Sequence, residues 1–166
     1  MHDPFEIKKA EAKDVPLIFS FIKELAEYEK LSHEVIATEA LLKETLFGEK
    51  PHAEVIIAYL NQEPVSFALY FHNYSTFLGR PGIYLEDLYV KPEARGQGIG
   101  QKILAYLAHL AKERKCGRLE WWVLDWNESA IAFYKRIGAK AMDEWTVYRV
   151  TGEALNDLAA SWQNPK

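Results

Sequence analysis

The sequence predicts a mixed α/β domain, in which a β-hairpin is followed by alternating strands and helices. Short segments rich in branched apolar residues favour strands, and apolar residues at helical spacing mark the helices. In the second half of the chain, strand, helix and strand follow one another with a glycine-rich turn between the first two. At least one pair of strands is therefore expected to be parallel and joined by a right-handed crossover.

Composition limits the class of protein. The 166 residues suit one domain spanning positions 1–166, and 49% hydrophobic content provides a sizeable core. A net charge of −4 argues against a nucleic-acid partner, which needs a basic face. No apolar run approaches the roughly 20 residues of a membrane span, and the N-terminal residues do not resemble a signal peptide. With Cys116 as the single cysteine, we expect a cytoplasmic protein.

The first half of the chain predicts a strand, two helices and a hairpin. Asp14 is expected to cap a helix that carries Pro16 in its first turn and apolar residues at helical spacing as far as Tyr28. Thr38 is expected to cap a shorter helix that runs to about Phe47. The predicted strands are 5–10, 53–60 and 65–71, with a turn at 61–64 between the last two.

The second half predicts strands that alternate with helices. A glycine-rich turn at 96–100 opens a helix that extends to about Lys115. Gly138 follows a later helix at the position that a left-handed cap prefers. The predicted strands are 83–90, 118–124 and 144–150, and the other predicted helices are 129–137 and 153–160.

The glycine-rich turn is the most informative segment. Alternate glycines at 96, 98 and 100 let backbone N–H groups converge without Cβ obstruction. The first N–H groups of a helix lack intrahelical partners and carry the positive end of the helix dipole, which suits a phosphate. Basic residues lie nearby at Lys91, Arg95 and Lys102. The glycines alone would also fit a merely tight connection, but their number and basic neighbours favour phosphate binding.

Two common phosphate motifs do not match this turn. A P-loop requires a Gly-Lys-Ser/Thr ending, which the turn lacks. A dinucleotide fingerprint requires a third glycine that is missing here, whether the count starts at Gly96 or Gly98. Its ribose-binding acid would be Glu120, which falls at the start of the following strand rather than at its end. A nicotinamide cofactor is therefore not expected.

The run Arg95-Gly96-Gln97-Gly98-Ile99-Gly100 resembles the pyrophosphate-binding motif of the GCN5-related N-acetyltransferase (GNAT) superfamily. The segment 126–139 resembles its second hallmark, in which Asn127 begins a helix and an aromatic pair precedes Gly138. Segments 25–29, 84–90 and 127–139 are similar to the diamine (spermidine/spermine) acetyltransferase branch, which also contains enzymes acting on thialysine. The likeness extends from about residue 6 to 160. It implies a mostly antiparallel twisted sheet with a splayed parallel pair, flanked by helices, and a homodimer.

The resemblance implies that acetyl-CoA is the cosubstrate. Backbone groups of residues 88–90 would pair with its pantetheine arm, and the Val90 N–H would stabilise the oxyanion. The N–H groups from Gly96 to Gln101 would hold the pyrophosphate. Asn127 fits a cofactor contact and a plain helix N-cap equally well. The implied cofactor-binding residues are Leu88, Tyr89, Val90, Arg95, Gly96, Gln97, Gly98, Ile99, Gly100, Gln101, Asn127, Glu128, Ser129 and Ala130. The histidines show no metal spacing, so no metal is expected.

Two residues are candidates for acid–base catalysis. By the resemblance, Tyr134 would protonate the departing CoA thiolate, although Phe133 and Tyr134 alone would also suit a helix core. An alkyl ammonium has a pKa near 10 and must lose a proton before it attacks. Glu86 is the candidate to bind it and take that proton, the alternative being an ion pair that stabilises the sheet. Strand alternation puts Glu86 on the face of Leu88 and Asp87 on the opposite face.

The acceptor is expected to be a small cation. The resemblance implies acceptor contacts at Tyr28, Glu29, Glu86, Glu120, Trp121 and Trp122. Trp121 and Trp122 alternate across a strand, so one is expected in the core while the other offers its ring to a cation. Glu29 alone would also suit a solvated helix face. The expected function is acetyl transfer to the amine of a polyamine, diamine or thialysine-like acceptor. The alternatives are acetylation of a protein N-terminus or lysine, and a non-catalytic acyl-CoA-binding domain.

Overall fold

The computed structural model describes residues 4–162, and the chain divides into two compact units at positions 124/125. The strands are β1 (Phe5–Lys9), β2 (Glu54–Leu60), β3 (Glu63–Ser75), β4 (Arg80–Val90) and β5 (Leu119–Trp121), all in the first unit. The helices are α1 (Val15–Tyr28), α2 (Glu39–Phe47) and α3 (Ile99–Glu113) in the first unit, and α4 (Glu128–Arg136) and α5 (Gly152–Ala160) in the second. None of the helices within 4–162 is long and apolar enough to cross a bilayer.

The five strands form one sheet in the order β1-β2-β3-β4-β5. Neighbouring strands are antiparallel except β4 and β5, which are parallel. The predicted mixed, mostly antiparallel sheet with one parallel pair is therefore confirmed. β5 pairs only with 83–85 of β4, and the rest of β4 continues to Val90 beyond that pairing. The parallel pair thus diverges after Leu85.

Two hairpins build the antiparallel part of the sheet. Asn61 and Gln62 both have positive φ angles, of 51° and 69°, and form a two-residue turn whose twist matches that of the flanking strands. A second hairpin, which the sequence did not predict, joins β3 to β4, and both strands are longer than expected. Strands β3 and β4 pair as far as Ser75 and Arg80, well beyond the predicted ends at 71 and 83. Cross-strand pairing extends both strands through a segment whose polar residues, glycine and proline look like a loop.

The core packs α1 against one face of the sheet. The rings of Phe21 and Phe67 stack at 5.4 Å between centroids, and Tyr89 lies 6.1 Å from Phe21. Ile18 and Ile57 are buried in the same cluster. This cluster fixes α1 beside the second half of β4, which brings the end of α1 near the divergent part of the sheet.

The helix caps agree with the sequence in one case and differ in the other. The Thr38 hydroxyl accepts a hydrogen bond from the Leu41 N–H at 3.1 Å, as predicted. Asp14 precedes α1, but its side chain makes no hydrogen bond to an N–H of that helix. Its carboxylate instead accepts from the Glu11 N–H at 2.8 Å and closes a 3-10 turn over 12–14. Asp14 is therefore the N-cap residue of α1, as predicted, but its side chain does not supply the capping hydrogen bond.

The second unit contains α4, α5 and the segment between them. Gly138 has a φ of +91° after the end of α4, which confirms the predicted left-handed cap. Residues 144–150 do not form a strand, so that prediction is wrong for the single chain. Their alternating pattern favours a strand, but a strand also requires a neighbour to pair with.

Candidate active site

The second half of β4 presents backbone groups at an edge not covered by β5. The Lys91 N–H donates to the Val65 carbonyl at 2.8 Å, and the Tyr89 carbonyl accepts from the Ser66 hydroxyl at 2.6 Å. Both partners are on β3. Because backbone groups alternate along a strand, those of Leu88 and Val90 are directed to the opposite edge. Of the three residues predicted to pair with pantetheine, Leu88 and Val90 thus have groups at this edge, and the Tyr89 carbonyl does not.

Arg95 joins the end of β4 to α1. Its Nε donates to the Val90 carbonyl at 2.9 Å. Its guanidinium lies 5.0 Å from the centre of the Tyr28 ring and 5.6 Å from that of Tyr89. Cation–π contacts of this kind hold the guanidinium between two aromatic rings. Arg95 therefore orders the start of the glycine-rich turn, whereas the sequence suggested that its charge acts on a phosphate.

The glycine-rich turn has the geometry expected of an anion site. Gly96 and Gly98 have φ angles of +81° and +77°, which other residues adopt only with strain. The first helical hydrogen bond of α3 runs from the Lys102 N–H to the Gly98 carbonyl at 3.0 Å. The N–H groups of 99–101 precede it and have no acceptor within the helix. A Cβ at Gly96, Gly98 or Gly100 would meet no atom within 4 Å, so the space above these amides is open. The turn thus fits a phosphate ligand.

A β-bulge interrupts β4 at Glu86. Leu85 pairs with Tyr70 and Asp87 pairs with Leu69, so Glu86 is an extra residue without a partner of its own on β3. Beyond the bulge, Asp87 shares the face of Tyr89, which packs against α1. Asp87 interacts electrostatically with Glu86 across this bulge. The expectations that Asp87 points away from Glu86 and that Glu86 shares the face of Leu88 are therefore both wrong, because the bulge breaks the alternation on which they depended.

Three carboxylates converge beside this bulge. Burial, together with the charges of Glu86 and Glu29, raises the pKa of Asp87 to about 7. Burial and the charge of Glu86 also raise the pKa of Glu29, at the end of α1. Within residues 4–162, no ion pair or hydrogen bond involves the carboxylate of Glu29 or Asp87. Carboxylates that repel one another in a half-buried place are stabilised by a cation, so this cluster suits a cationic ligand.

Aromatic rings adjoin the carboxylates. Tyr84 packs against Phe71 at 5.1 Å between centroids and meets the edge of Trp122 at 5.7 Å and 80°. Burial and the charges of Glu86, Glu120 and Asp87 raise the pKa of Tyr84, which keeps its phenol neutral. Trp122 is 58% exposed, and Trp121 is partly buried. Trp122 is thus the tryptophan that has a ring open to an acceptor.

Glu120 is held by a residue that the sequence did not single out. Asn73 donates from its Nδ2 to Glu120 Oε1 at 3.2 Å, across strands β3, β4 and β5. The two residues are 47 positions apart, so no local pattern connects them. Sequence-based reasoning missed Asn73 for this reason. It missed Tyr84 because an aromatic residue within a strand looks like an ordinary core residue.

The second unit carries the other predicted residues. Asn127 Oδ1 accepts from the Ala130 N–H at 3.4 Å, and the Ser129 hydroxyl donates to the same oxygen at 3.4 Å. The N-cap alternative is thereby confirmed, and the cofactor contact stays a prediction. Glu128 is exposed in the first turn of α4. The rings of Phe133 and Tyr134 lie 5.6 Å apart, and both are partly buried. The role of Tyr134 as an acid stays a prediction.

In the described part of the chain, no three His, Cys, Asp or Glu side chains are grouped so that they would hold a metal ion.

Comparison with known proteins agrees with these features. A family model for the acetyltransferase (GNAT) family matches residues 19–139. Thialysine N-epsilon-acetyltransferase of Bos taurus is 43% identical over 92% of this chain and 96% of its own. L-ornithine N5-acetyltransferase of Arabidopsis thaliana is 31% identical over 92% of this chain and 86% of its own. An integron cassette protein from the mobile metagenome of V. cholerae superposes with a TM-score of 0.81 at 33% identity, covering 96% of this chain and all of that one.

Three findings point to the same family: the phosphate-type turn at the start of α3, the diverging parallel strands, and the extent of these similarities. The chain therefore belongs to the acetyltransferase (GNAT) family and is an N-acetyltransferase, as its sequence motifs predict.

Proposed function

We propose that this enzyme transfers acetyl from acetyl-CoA to the primary amine of a small cationic acceptor, such as a polyamine, a diamine or a thialysine-like amino acid. The observation that carries the proposal is the cluster of Glu29, Glu86 and Asp87, whose mutual repulsion favours a cation. The similarity to enzymes named for thialysine and ornithine supports the same class of acceptor.

Acetyl-CoA, when bound, supplies the acetyl group and a thiolate leaving group. The open amides of 99–101 and the positive φ angles of Gly96 and Gly98 support pyrophosphate binding at the start of α3. Leu88 and Val90 would pair with the pantetheine arm, and the Val90 N–H would stabilise negative charge on the reacting carbonyl oxygen. The first turn of α4 contributes the remaining contacts in this proposal, from Asn127, Glu128, Ser129 and Ala130.

The acceptor must arrive as an ammonium ion and react as a neutral amine. Glu86 is exposed on the bulge, and we assign it the transfer of that proton, directly or through a water molecule. Glu29 and Asp87 hold the ammonium ion beside it. Because Asp87 titrates near neutral pH, a bound cation also favours its ionised form. Tyr28, Trp121, Trp122 and Glu120 complete the proposed acceptor surface.

Tyr134 is proposed to protonate the thiolate as CoA leaves. A neutral phenol is a suitable acid for this step, since its ordinary pKa lies near 10.

We also propose that residues 1–166 act as a single catalytic domain and that two copies form a homodimer. The match of the family model across 19–139 supports the first point. The second is supported by the exposed side chains of Trp145, Val147 and Tyr148, which leave an apolar segment uncovered. A cytoplasmic location without nucleic-acid or membrane partners belongs to the same proposal and rests on composition.

A thiol-release assay with acetyl-CoA and a panel of amines tests the acceptor class. We expect turnover with diamines, polyamines and thialysine. We expect little turnover with monoamines that carry no charged group besides the reacting amine. Turnover with peptides alone would contradict the small-molecule acceptor and favour a protein substrate. Saturable CoA binding without turnover on any amine or peptide would favour a non-catalytic acyl-CoA-binding domain.

A further inference from the structure

The Asn73–Glu120 hydrogen bond lies on the same face of the sheet as the proposed acceptor surface. Tyr84 pairs with Phe71 on one side and with Glu120 on the other, so the three residues stand side by side across β3, β4 and β5. Asn73 is two positions from Phe71 on β3 and therefore shares its face. From there its amide reaches across β4 to Glu120 at 3.2 Å.

Gly82 makes this reach possible. It is the residue of β4 that pairs with Asn73, and it lies directly beneath the Asn73 amide. A Cβ at Gly82 would stand 2.4 Å from Asn73 Oδ1, which is closer than two such atoms approach. Because φ at Gly82 is not in the left-handed region, the backbone does not require glycine there. The main constraint on this position is therefore the path of the Asn73 side chain, and the Arg118 carbonyl oxygen, 3.3 Å from the added Cβ, is a second and milder one.

The hydrogen bond restricts the rotation of the partly buried Glu120 carboxylate. The charges of Glu120 and Glu86 both interact with the Tyr84 phenol. Glu120 lies on the neighbouring strand β5, and Glu86 lies at the bulge, two residues after Tyr84 on β4. Strand spacing puts their backbones roughly 8 Å apart. Both carboxylates act on the same phenol, so we expect the two ammonium groups of one short diamine to reach both of them.

We propose that Asn73 is a positioning residue that sets acceptor selectivity: it holds Glu120 beside Tyr84, where the carboxylate binds the second, non-reacting ammonium group of a diamine. This inference rests on the proposed function, because it assumes that the first amine lies at Glu86. Gly82 has a supporting role, since it leaves room for the Asn73 amide.

The test compares a short diamine with a monoamine of the same chain length, using wild type, Asn73→Ala, Gly82→Ala and the double variant. We expect each single variant to raise the diamine KM about tenfold, with kcat and the monoamine KM little changed. The double variant should resemble Asn73→Ala alone, because the added Cβ then has no amide to displace. Tyr74→Ala, an exposed neighbour on the other face, serves as the control and should retain the wild-type preference.

Calorimetric titration with each amine gives the same comparison without turnover, and the melting temperature shows whether each variant is folded. An equal loss with diamine and monoamine would mean a merely structural role and would overturn the proposal. Unchanged diamine binding in folded Asn73→Ala would also overturn it. If wild type neither binds nor acetylates any amine, the proposed function itself fails, which is a result distinct from either of these.

Discussion

Glu29, at the C-terminal end of α1, and Asp87, on β4, repel each other across the packed junction of helix and sheet. They are brought together by two independent features: the aromatic cluster that docks α1 on the sheet, and the bulge at Glu86 that turns Asp87 toward that helix. Neither feature requires acidic residues at these positions. Placing carboxylates there lowers the stability of the free protein, and a cationic ligand offsets that loss.

Asp87→Asn is expected to remove a pH dependence from the free energy of unfolding. Asp87 has an ordinary pKa near 4 when the chain is unfolded and about 7 in the folded protein. The folded state therefore binds this proton more tightly, so its stabilising effect is complete below about pH 4 and is lost as pH rises to about 7. The slope over this interval is on the order of 1 kcal/mol per pH unit. Denaturant titrations from pH 4 to 8 should show a flatter profile in the variant.

The control for this comparison is Asp143→Asn, an exposed residue of the second unit. It should leave the pH profile of the wild type unchanged. A profile equally steep in wild type and Asp87→Asn would show that Asp87 is ionised throughout and would remove the electrostatic argument for a cation site.

Tyr134→Phe is expected to lower kcat by about 10²-fold while leaving the affinity for CoA unchanged. The change removes a hydroxyl and keeps the ring, so packing in α4 is retained. Steady-state kinetics and calorimetric titration with CoA separate the two effects. Tyr148→Phe makes the same chemical change at a tyrosine that is 92% exposed and should have wild-type activity. A wild-type rate in Tyr134→Phe would exclude Tyr134 as the acid.

Features that follow from local pattern could be predicted from the sequence. The parallel pair follows from the order of strand, helix and strand, and the phosphate-type turn follows from three glycines before an amphipathic helix. The Thr38 cap depends on residues within a single turn. In each case, the interacting groups are close together in the chain, so their spacing predicts the structure.

Features that depend on pairing between distant segments could not be predicted. The bulge at Glu86 is set by the register of β4 against β3, and it reverses the face on which Asp87 lies. Gly82 looks like a turn residue until β3 extends alongside it. Residues 144–150 show the opposite error, because their alternation predicts a strand that the structure does not form. The candidate site depends mostly on features of this second kind.

Gly98→Ala is expected to weaken CoA binding, because alanine at a φ of +77° adds about 1 kcal/mol of strain and shifts the turn that directs the amides of 99–101. A matched control is available at Gly79, which has a φ of +64° and where an added Cβ would likewise meet no atom within 4 Å. Gly79→Ala carries a similar backbone strain in the β3–β4 hairpin. Both variants should lose similar stability in denaturant titration, whereas only Gly98→Ala should lose CoA affinity. Equal CoA affinity in the two would contradict a phosphate site at this turn.

The exposed apolar side chains in the segment 144–150 predict that the protein is a homodimer. Trp145 is 73% exposed and Val147 is 57% exposed, and alternation places both on one side of an extended segment. A second copy that covers this side would bury both residues, so light scattering should give twice the chain mass of 19.1 kDa. Trp145→Glu and Val147→Lys should each shift the protein toward the monomer, since a buried charge opposes association. Ile36→Lys adds a charge at a residue that is 88% exposed in the first unit and should leave the dimer intact. A monomeric wild type at micromolar concentration would contradict the homodimer, because exposed apolar side chains alone would then not drive association.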